Sequence, residues 1–407
     1  MANSIIKIKQ RDDIIIKIVL FLISPFLSFL YSLRTMNAKS SYVIFFLFSI
    51  LFGLAFTVAG NRYDAVYYID GIFYRMNFEE YVRSSYFDFA NDWREYISFK
   101  GDIKDFYFNT IAFGISRVTD NYHVMFAVFA VVFAFFQLKC LSFFTKEKNY
   151  QNCIFTLILA LIFTWNQIFN INGVRFNTAA WIYVYCVFQL FLNNDKRYIV
   201  LLLFTPFVHA AFFVYTFFIL VVYYLKGFSK FWKVAFVISF FVSSVSTILV
   251  KYVGAFLPDV LSDFVDSYTS GSGEASSIIV TSSISGFLIS ISSIYVNFLI
   301  LWLVIKYQEQ EEKSANSIYS AFLILATLMN FFSPISSLGG RMIMMVYPLL
   351  AYVWLMYFGT KKYKWMIFLF PMVMIITLRT RYQQYRMVTD TSFWFSNPIS
   401  IMIKYLQ

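Results

Sequence analysis

The chain has 407 residues, of which 60% are hydrophobic and only 14% charged, against roughly 25% charged in soluble proteins. So few charges cannot cover a water-soluble surface, and the apolar residues come in unbroken runs rather than the alternating segments of about ten residues that mark a membrane β-barrel. The formal net charge of +11 reads as the cytoplasmic excess of Lys and Arg in a helical membrane protein, not as a nucleic-acid-binding surface.

From the N terminus, Lys7, Lys9 and Arg11 lead into an apolar stretch, Ile14 to Leu33, interrupted by Pro25. It has no A-x-A-like site, so no cleavable signal is expected. A clear span follows from Tyr42 to Ala59. The next segment, 61–121, is polar, with nine acids and six bases between Asn61 and Tyr107, a net charge of −3. Such acidity suits a large periplasmic loop, and its many aromatic residues predict short amphipathic helices lying on the membrane surface.

Spans then run from Val124 to Phe144, Cys153 to Ile168 and Phe176 to Leu192. The basic loops at Lys146–Lys148, Lys196–Arg197, Lys226–Lys233 and Lys361–Lys364 are cytoplasmic by the positive-inside rule. Because the loops at Lys196 and Lys226 then share one side, the apolar stretch from Ile199 to Leu225, which carries Pro206, has to enter and return. Ten residues of helix reach only ~15 Å, half of the ~30 Å hydrocarbon core. A broken or re-entrant segment with His209 near mid-membrane follows, one tilted span being the alternative. The flanking charges of Ile14 to Leu33 support the same reading.

After a span from Val234 to Val250 comes a second periplasmic loop, 251–277, with four acids and one base between Lys251 and Glu274 and a flexible turn at Thr269–Gly273. Further spans run from Ile278 to Ile305, Ile318 to Phe332, Met342 to Phe358 and Trp365 to Leu378. Cys140, Cys153 and Cys186 lie in or at the ends of apolar spans. An odd number without CxxC spacing gives neither a disulfide framework nor a metal site. The whole reads as an all-α polytopic membrane protein, one transmembrane domain over residues 1–407, with about 9–12 membrane segments including broken or re-entrant helices.

This topology puts arginines on the periplasmic side, against the usual bias: Arg62 after the second span, Arg175 and Arg341 at the starts of spans beside glycines, and Arg379, Arg381 and Arg386 after the last. Charges at a membrane are costly, and guanidinium is matched to phosphate through bidentate charge-assisted bonds. Their convergence at one face predicts a lipid-linked diphosphate ligand. Snorkelling to headgroups is the competing reading, stronger for Arg381 and Arg386 than for Arg175 and Arg341, whose helix starts add outward N–H groups. His209, one of two histidines, lies deep in an apolar segment as a proton carrier, a donor to phosphate oxygen or a structural residue. His123, at a membrane edge, reads as structural. Among the loop carboxylates Asp64 lies nearest the membrane and close to Arg62. No metal cluster, P-loop, GxSxG, HExxH or DxD pattern occurs, so neither a metal nor a cofactor is expected.

At these residues the chain resembles a known family, the EpsG-like and Wzy-type polysaccharide polymerases. Asn61-Arg62-Tyr63-Asp64 followed by Tyr67 looks like the region opening that family's first large external loop. Asn172, Arg175 and Ala179 match an Asn-x-x-Arg-x-x-x-Ala helix start, and Phe207-Val208-His209-Ala210-Ala211 is similar to a Phe-His-x-Ser pattern, with Ala211 in place of the hydroxyl residue. Ser337 to Arg341 resembles the family's later arginine. The similarity covers residues from about 40 to about 360.

The resemblance implies a GT-C-like helical bundle in the bacterial inner membrane, with its active site facing the periplasm. It implies a glycosyltransferase that joins undecaprenyl-diphosphate-linked repeat units, moving the growing chain from its lipid carrier to the non-reducing end of a new unit. In that chemistry Arg62, Arg175, Arg341 and Arg379 stabilise the diphosphate, Asp64 or His209 takes the proton of the sugar hydroxyl, and Tyr63 and Tyr67 stack on sugar rings. The partners implied are the lipid-linked glycan donor and acceptor, the bilayer and a chain-length regulator protein, with no nucleic acid. An O-antigen ligase, a lipid-linked oligosaccharide flippase and a membrane acyltransferase are the alternatives. The early position of the largest external loop favours polymerase over ligase, and the absence of an internal repeat weighs against a transporter.

Overall fold

The computed structural model describes residues 2–36, 38–57, 70–98, 106–146, 166–225, 229–256, 262, 294, 297–305, 313–358 and 388–407. Among them the chain is all-α, without a strand. The helices are α1 (Ala2–Ile23), α2 (Pro25–Ser32), α3 (Lys39–Leu54), α4 (Asp70–Arg83), α5 (Tyr86–Ile97), α6 (Tyr107–Ser116), α7 (Tyr122–Lys146) and α8 (Val174–Leu192). They continue as α9 (Tyr198–Val208), α10 (Phe212–Tyr224), α11 (Ser229–Val242), α12 (Ser246–Gly254), α13 (Lys313–Phe331), α14 (Ser336–Phe358) and α15 (Pro398–Leu406). Two compact units are drawn from residues 1–85, 109–178 and 381–407, and from residues 86–108 and 179–380.

In the first unit, the proline expected to interrupt the N-terminal stretch does so. Pro25 lacks the N–H that would continue α1, yet suits the first position of a new helix. Ser24 turns extended between α1 and α2, caps α2 by accepting the Leu27 N–H, and donates its own hydroxyl to Trp394 O at 3.0 Å. Lys17 of α1 is fully buried, and its ammonium meets Asp13 Oδ2 at 2.6 Å, Thr35 Oγ1 at 2.7 Å and Ser40 Oγ at 3.1 Å. Three donors find three acceptors, the condition for tolerating a buried cation.

The α3 and α7 helices pack at Gly53, where an added Cβ would lie 2.5 Å from Ala130 Cβ and 2.7 Å from Phe126 O. Small residues permit such close backbone approach between membrane helices. His123, in the first turn of α7, stacks on Tyr122 with ring centroids 4.2 Å apart and packs against Tyr405 of α15 at 4.9 Å. Asn121 caps α7 by accepting the His123 N–H at 2.9 Å and donates to Tyr405 O at 2.8 Å, fastening α15. Arg117 donates to the carbonyls of Tyr81 and Ser84 at the end of α4, where a helix leaves acceptors without partners.

In the second unit, α11 and α10 pack against α13, which in turn packs on α14. The α8 helix, whose first turn belongs to the first unit, joins this layer through Tyr183, whose hydroxyl donates to Tyr215 O at 2.8 Å, and through Phe188 against Tyr352. Among the described residues, Tyr122–Thr145 and Lys230–Gly254 are long and apolar enough to cross a membrane, and five shorter apolar helices accompany them. Lys230–Gly254 has only 17% of its most apolar window buried, with Phe241 78% and Ile248 67% exposed. An apolar surface of that kind needs lipid rather than water beside it.

The expected spans at Trp365–Leu378, nearly all of Cys153–Ile168 and most of Ile278–Ile305 lie outside the described residues. So does most of the loop 251–277, whose first residues still belong to α12.

Candidate active site

The chain enters α8 through a 3-10 turn, Ile168–Gly173, built on asparagines. Turns and helix starts leave backbone groups without partners, and water is scarce in an apolar setting. Here side-chain amides replace it. Asn177 Nδ2 donates to the carbonyls of Asn170 and Gly173, each at 3.0 Å, Asn166 Nδ2 to Asn177 O at 3.2 Å, and Gln137 Nε2 of α7 to Asn166 O at 3.1 Å. At Gly173 an added Cβ would sit 2.8 Å from Asn177 Nδ2 and push it off both carbonyls.

Arg175 is the second residue of α8, at a helix start beside a glycine as the sequence indicated. Its Nε donates to the hydroxyl of Tyr74 at 3.3 Å, and its guanidinium lies 5.7 Å from the Tyr74 ring centroid. One turn earlier, the Gly71 N–H donates to Asn172 Oδ1 at 2.9 Å. The start of α4 is therefore fastened to the turn that presents Arg175. Arg62, Tyr63, Asp64 and Tyr67, which precede α4, lie outside the described residues, as does Arg379.

His209 marks a break between α9 and α10, extended at φ −158° and ψ 123°. The break does not fall at Pro206, which stays inside α9. The missing proline N–H leaves Leu202 O without its helical donor, and the Thr205 hydroxyl supplies one at 2.7 Å. Thr205 Oγ1 also meets Thr216 Oγ1 at 3.2 Å. Along one straight helix those residues would stand ~16 Å apart, so α9 and α10 fold back on each other about His209. The broken segment is present, and a single continuous helix over Ile199 to Leu225 is not.

Breaking the helix frees backbone groups, and two of them find partners outside the helical pattern. Phe207 O accepts the Phe106 N–H at 3.1 Å, and the Ala211 N–H donates to His209 Nδ1 at 3.2 Å. With Nδ1 accepting, the neutral imidazole carries its proton on Nε2. The ring is only 5% exposed and packs edge-on to Phe212. In this tautomer His209 offers a donor, and accepting a proton at Nε2 requires the other tautomer and loss of the Ala211 contact. Phe106 is itself held by Trp93 and Tyr96 of α5, at ring-centroid distances of 3.7 and 5.3 Å. No residue of α5 is buried.

Arg341 differs from its expected setting. It is the sixth residue of α14, not the first, and the outward N–H groups of a helix belong to its first four residues. Only its guanidinium can therefore serve a ligand. Gly339, two residues before it, is a packing device: an added Cβ there would lie 2.5 Å from Phe332 O, while its N–H already bonds Ile335 O at 2.8 Å. Arg175 belongs to the first unit, and His209 and Arg341 to the second. Among the described residues no group of three or more His, Cys, Asp or Glu is placed to hold a metal ion.

No curated protein and no solved structure is similar enough to match this chain. The family model described as the EpsG family matches residues 44–394. That stretch contains Arg62, Asp64, Arg175, His209, Arg341 and Arg379. EpsG-like proteins are polymerases of the Wzy type, which accords with an all-helical chain exposing long apolar helices. With most of its length matched and its helices apolar, this membrane protein belongs to the EpsG family.

Proposed function

We propose that the chain is a polysaccharide polymerase that joins undecaprenyl-diphosphate-linked repeat units at the periplasmic face of the bacterial inner membrane. The observation that carries this reading is the family match over residues 44–394, which holds every residue assigned a role here. In the reaction, the bond from the sugar's anomeric carbon to the diphosphate oxygen breaks, and a bond to a hydroxyl of the acceptor sugar forms. The diphosphate leaves with the bonding pair. Arg62, Arg175, Arg341 and Arg379 neutralise the charge that develops there, the electrostatic role in which fixed cations are most effective. The chemistry needs no metal, because guanidinium groups supply the positive charge.

Asp64 takes the proton released by the acceptor hydroxyl. The Ala211 contact at Nδ1 favours His209 as a hydrogen-bond donor through Nε2–H, to a phosphate or sugar oxygen, over His209 as the base. Tyr63 and Tyr67 stack on sugar rings. The α9–α10 hairpin is a re-entrant segment that enters and leaves by the cytoplasmic face, with His209 at its tip, and α5 rests on the periplasmic membrane surface. A chain-length regulator is the expected protein partner.

Deletion of the gene tests this reading in cells. Losing a polymerase leaves single units made, flipped and attached, so the surface glycan shortens to one unit per acceptor. Where the glycan decorates lipopolysaccharide, a core-plus-one band remains and the ladder above it disappears. A bare core band would instead indicate a ligase or a flippase.

A further inference from the structure

Two hydrogen bonds join α4 to the chain entering α8, and they are in register. Gly71 N–H meets Asn172 Oδ1 at 2.9 Å, and Arg175 Nε meets the Tyr74 hydroxyl at 3.3 Å. Each strand of this pairing advances three residues between rungs, about one helical turn, so both contacts fall on facing sides of two segments running in the same direction. We infer that Tyr74 and Asn172 are positioning residues that fix the guanidinium of Arg175 in the orientation from which it engages a diphosphate, an inference that rests on the ligand proposed above.

The physical need is clear. Arginine recognises phosphate through a planar fork of donors, so the orientation of that plane decides whether two bonds or one can form. The Arg175 side chain has several rotatable bonds, and fixing each of them narrows the orientations its plane can take. Tyr74 constrains it twice, accepting from Nε at the edge and lying beside the guanidinium with its ring at 5.7 Å. Tyr74 can do this because it is itself only 6% exposed. Asn172 holds the second rung. The Gly71 N–H is one of the first-turn donors that α4 cannot satisfy internally, and the Asn172 carboxamide takes it, setting the height of α4 against the turn that presents Arg175 and with it the place of Tyr74.

The test measures equilibrium binding of undecaprenyl diphosphate to the full-length protein in detergent. Tyr74→Phe keeps the ring and removes the hydroxyl, and it should weaken binding roughly tenfold, the scale of one hydrogen bond to a charged group, with an unchanged unfolding temperature. Asn172→Ala should weaken binding in the same direction. The decisive comparison is Tyr74→Phe placed in an Arg175→Lys background. Lysine has no Nε–H fork to orient, so the hydroxyl should no longer matter there, whereas a merely structural role for Tyr74 would produce the same loss in both backgrounds. Equal losses, or wild-type binding by Tyr74→Phe when Arg175→Ala has lost it, would overturn the positioning role alone. Wild-type binding by Arg175→Ala would remove Arg175 from the diphosphate site, and the positioning role with it.

Discussion

Gly53 and Gly114 offer a paired test of the packing that supports the site. Both lie in helices, α3 and α6. At Gly53 an added methyl would sit 2.5 Å from Ala130 Cβ, 2.7 Å from Phe126 O and 3.0 Å from Ala127 Cα. The first contact is about 1.3 Å short of an ordinary carbon–carbon separation near 3.8 Å. All three atoms belong to the body of α7, so no side chain can swing aside and the helices must part. Overpacking of this kind costs about 1–3 kcal/mol, against a gain of at most about 1 kcal/mol from replacing glycine in a helix. Gly53→Ala should therefore destabilise by about 1–2 kcal/mol. At Gly114 an added Cβ meets nothing within 4 Å, so Gly114→Ala keeps only the helix term and should stabilise by up to about 1 kcal/mol. Unfolding of the purified variants by SDS in mixed micelles gives both values. Ala130→Gly in the Gly53→Ala background should recover part of the loss, since Phe126 O remains close. A Gly53→Ala protein as stable as wild type would refute this packing of α3 on α7.

Three further outcomes are expected. Thr205→Val should destabilise by about 1–3 kcal/mol, because it strands the Leu202 carbonyl that Pro206 cannot serve, while Thr205→Ser should be nearly neutral in the same assay. The hydrogen bond from Lys404 and the Ser392 N–H hold the Asp390 carboxyl down to about 2, from an ordinary value of 3.8. Its stabilising contribution is thus complete above pH ~4 and fades as pH falls toward 2. The pair is exposed, so the effect on unfolding is under ~1 kcal/mol, but NMR titration should find the Asp390 carboxyl returned toward 3.8 in Lys404→Met. Finally, in a background free of cysteine, Ser84→Cys should react with an impermeant thiol reagent in intact cells and Ser229→Cys should not; equal labelling would contradict the re-entrant hairpin.

Helices and their interruptions were legible because apolar runs and prolines act locally. Pro25 marks the Ser24 break to within a residue. Pro206 announced a break that the chain makes three residues later, and the difference is one hydroxyl: Thr205 satisfies Leu202 O, so the helix survives to Val208. Arg175 sits where glycine and asparagine patterning put it, at a helix start. Arg341 does not: α14 begins at Ser336, and Gly339 serves close approach to Phe332 O rather than a helix boundary. Tyr74 could not be singled out among 30 tyrosines. Its relation to Arg175 depends on a pairing 101 residues apart in sequence, which no local pattern encodes. No sequence pattern singles out Arg117, and only the fold shows that it closes the end of α4.

Polymerisation by the purified protein is the most direct measurement. Reconstituted alone in proteoliposomes with radiolabelled undecaprenyl-diphosphate-linked repeat units, the wild-type chain should produce a ladder of longer lipid-linked glycans and release free undecaprenyl diphosphate. Arg175→Lys, which keeps the charge but loses the planar fork, should retain little of that activity. Single units that persist unextended while being moved across the bilayer, or a ladder undiminished in both Arg175→Lys and Arg175→Ala, would contradict a polymerase working through this arginine.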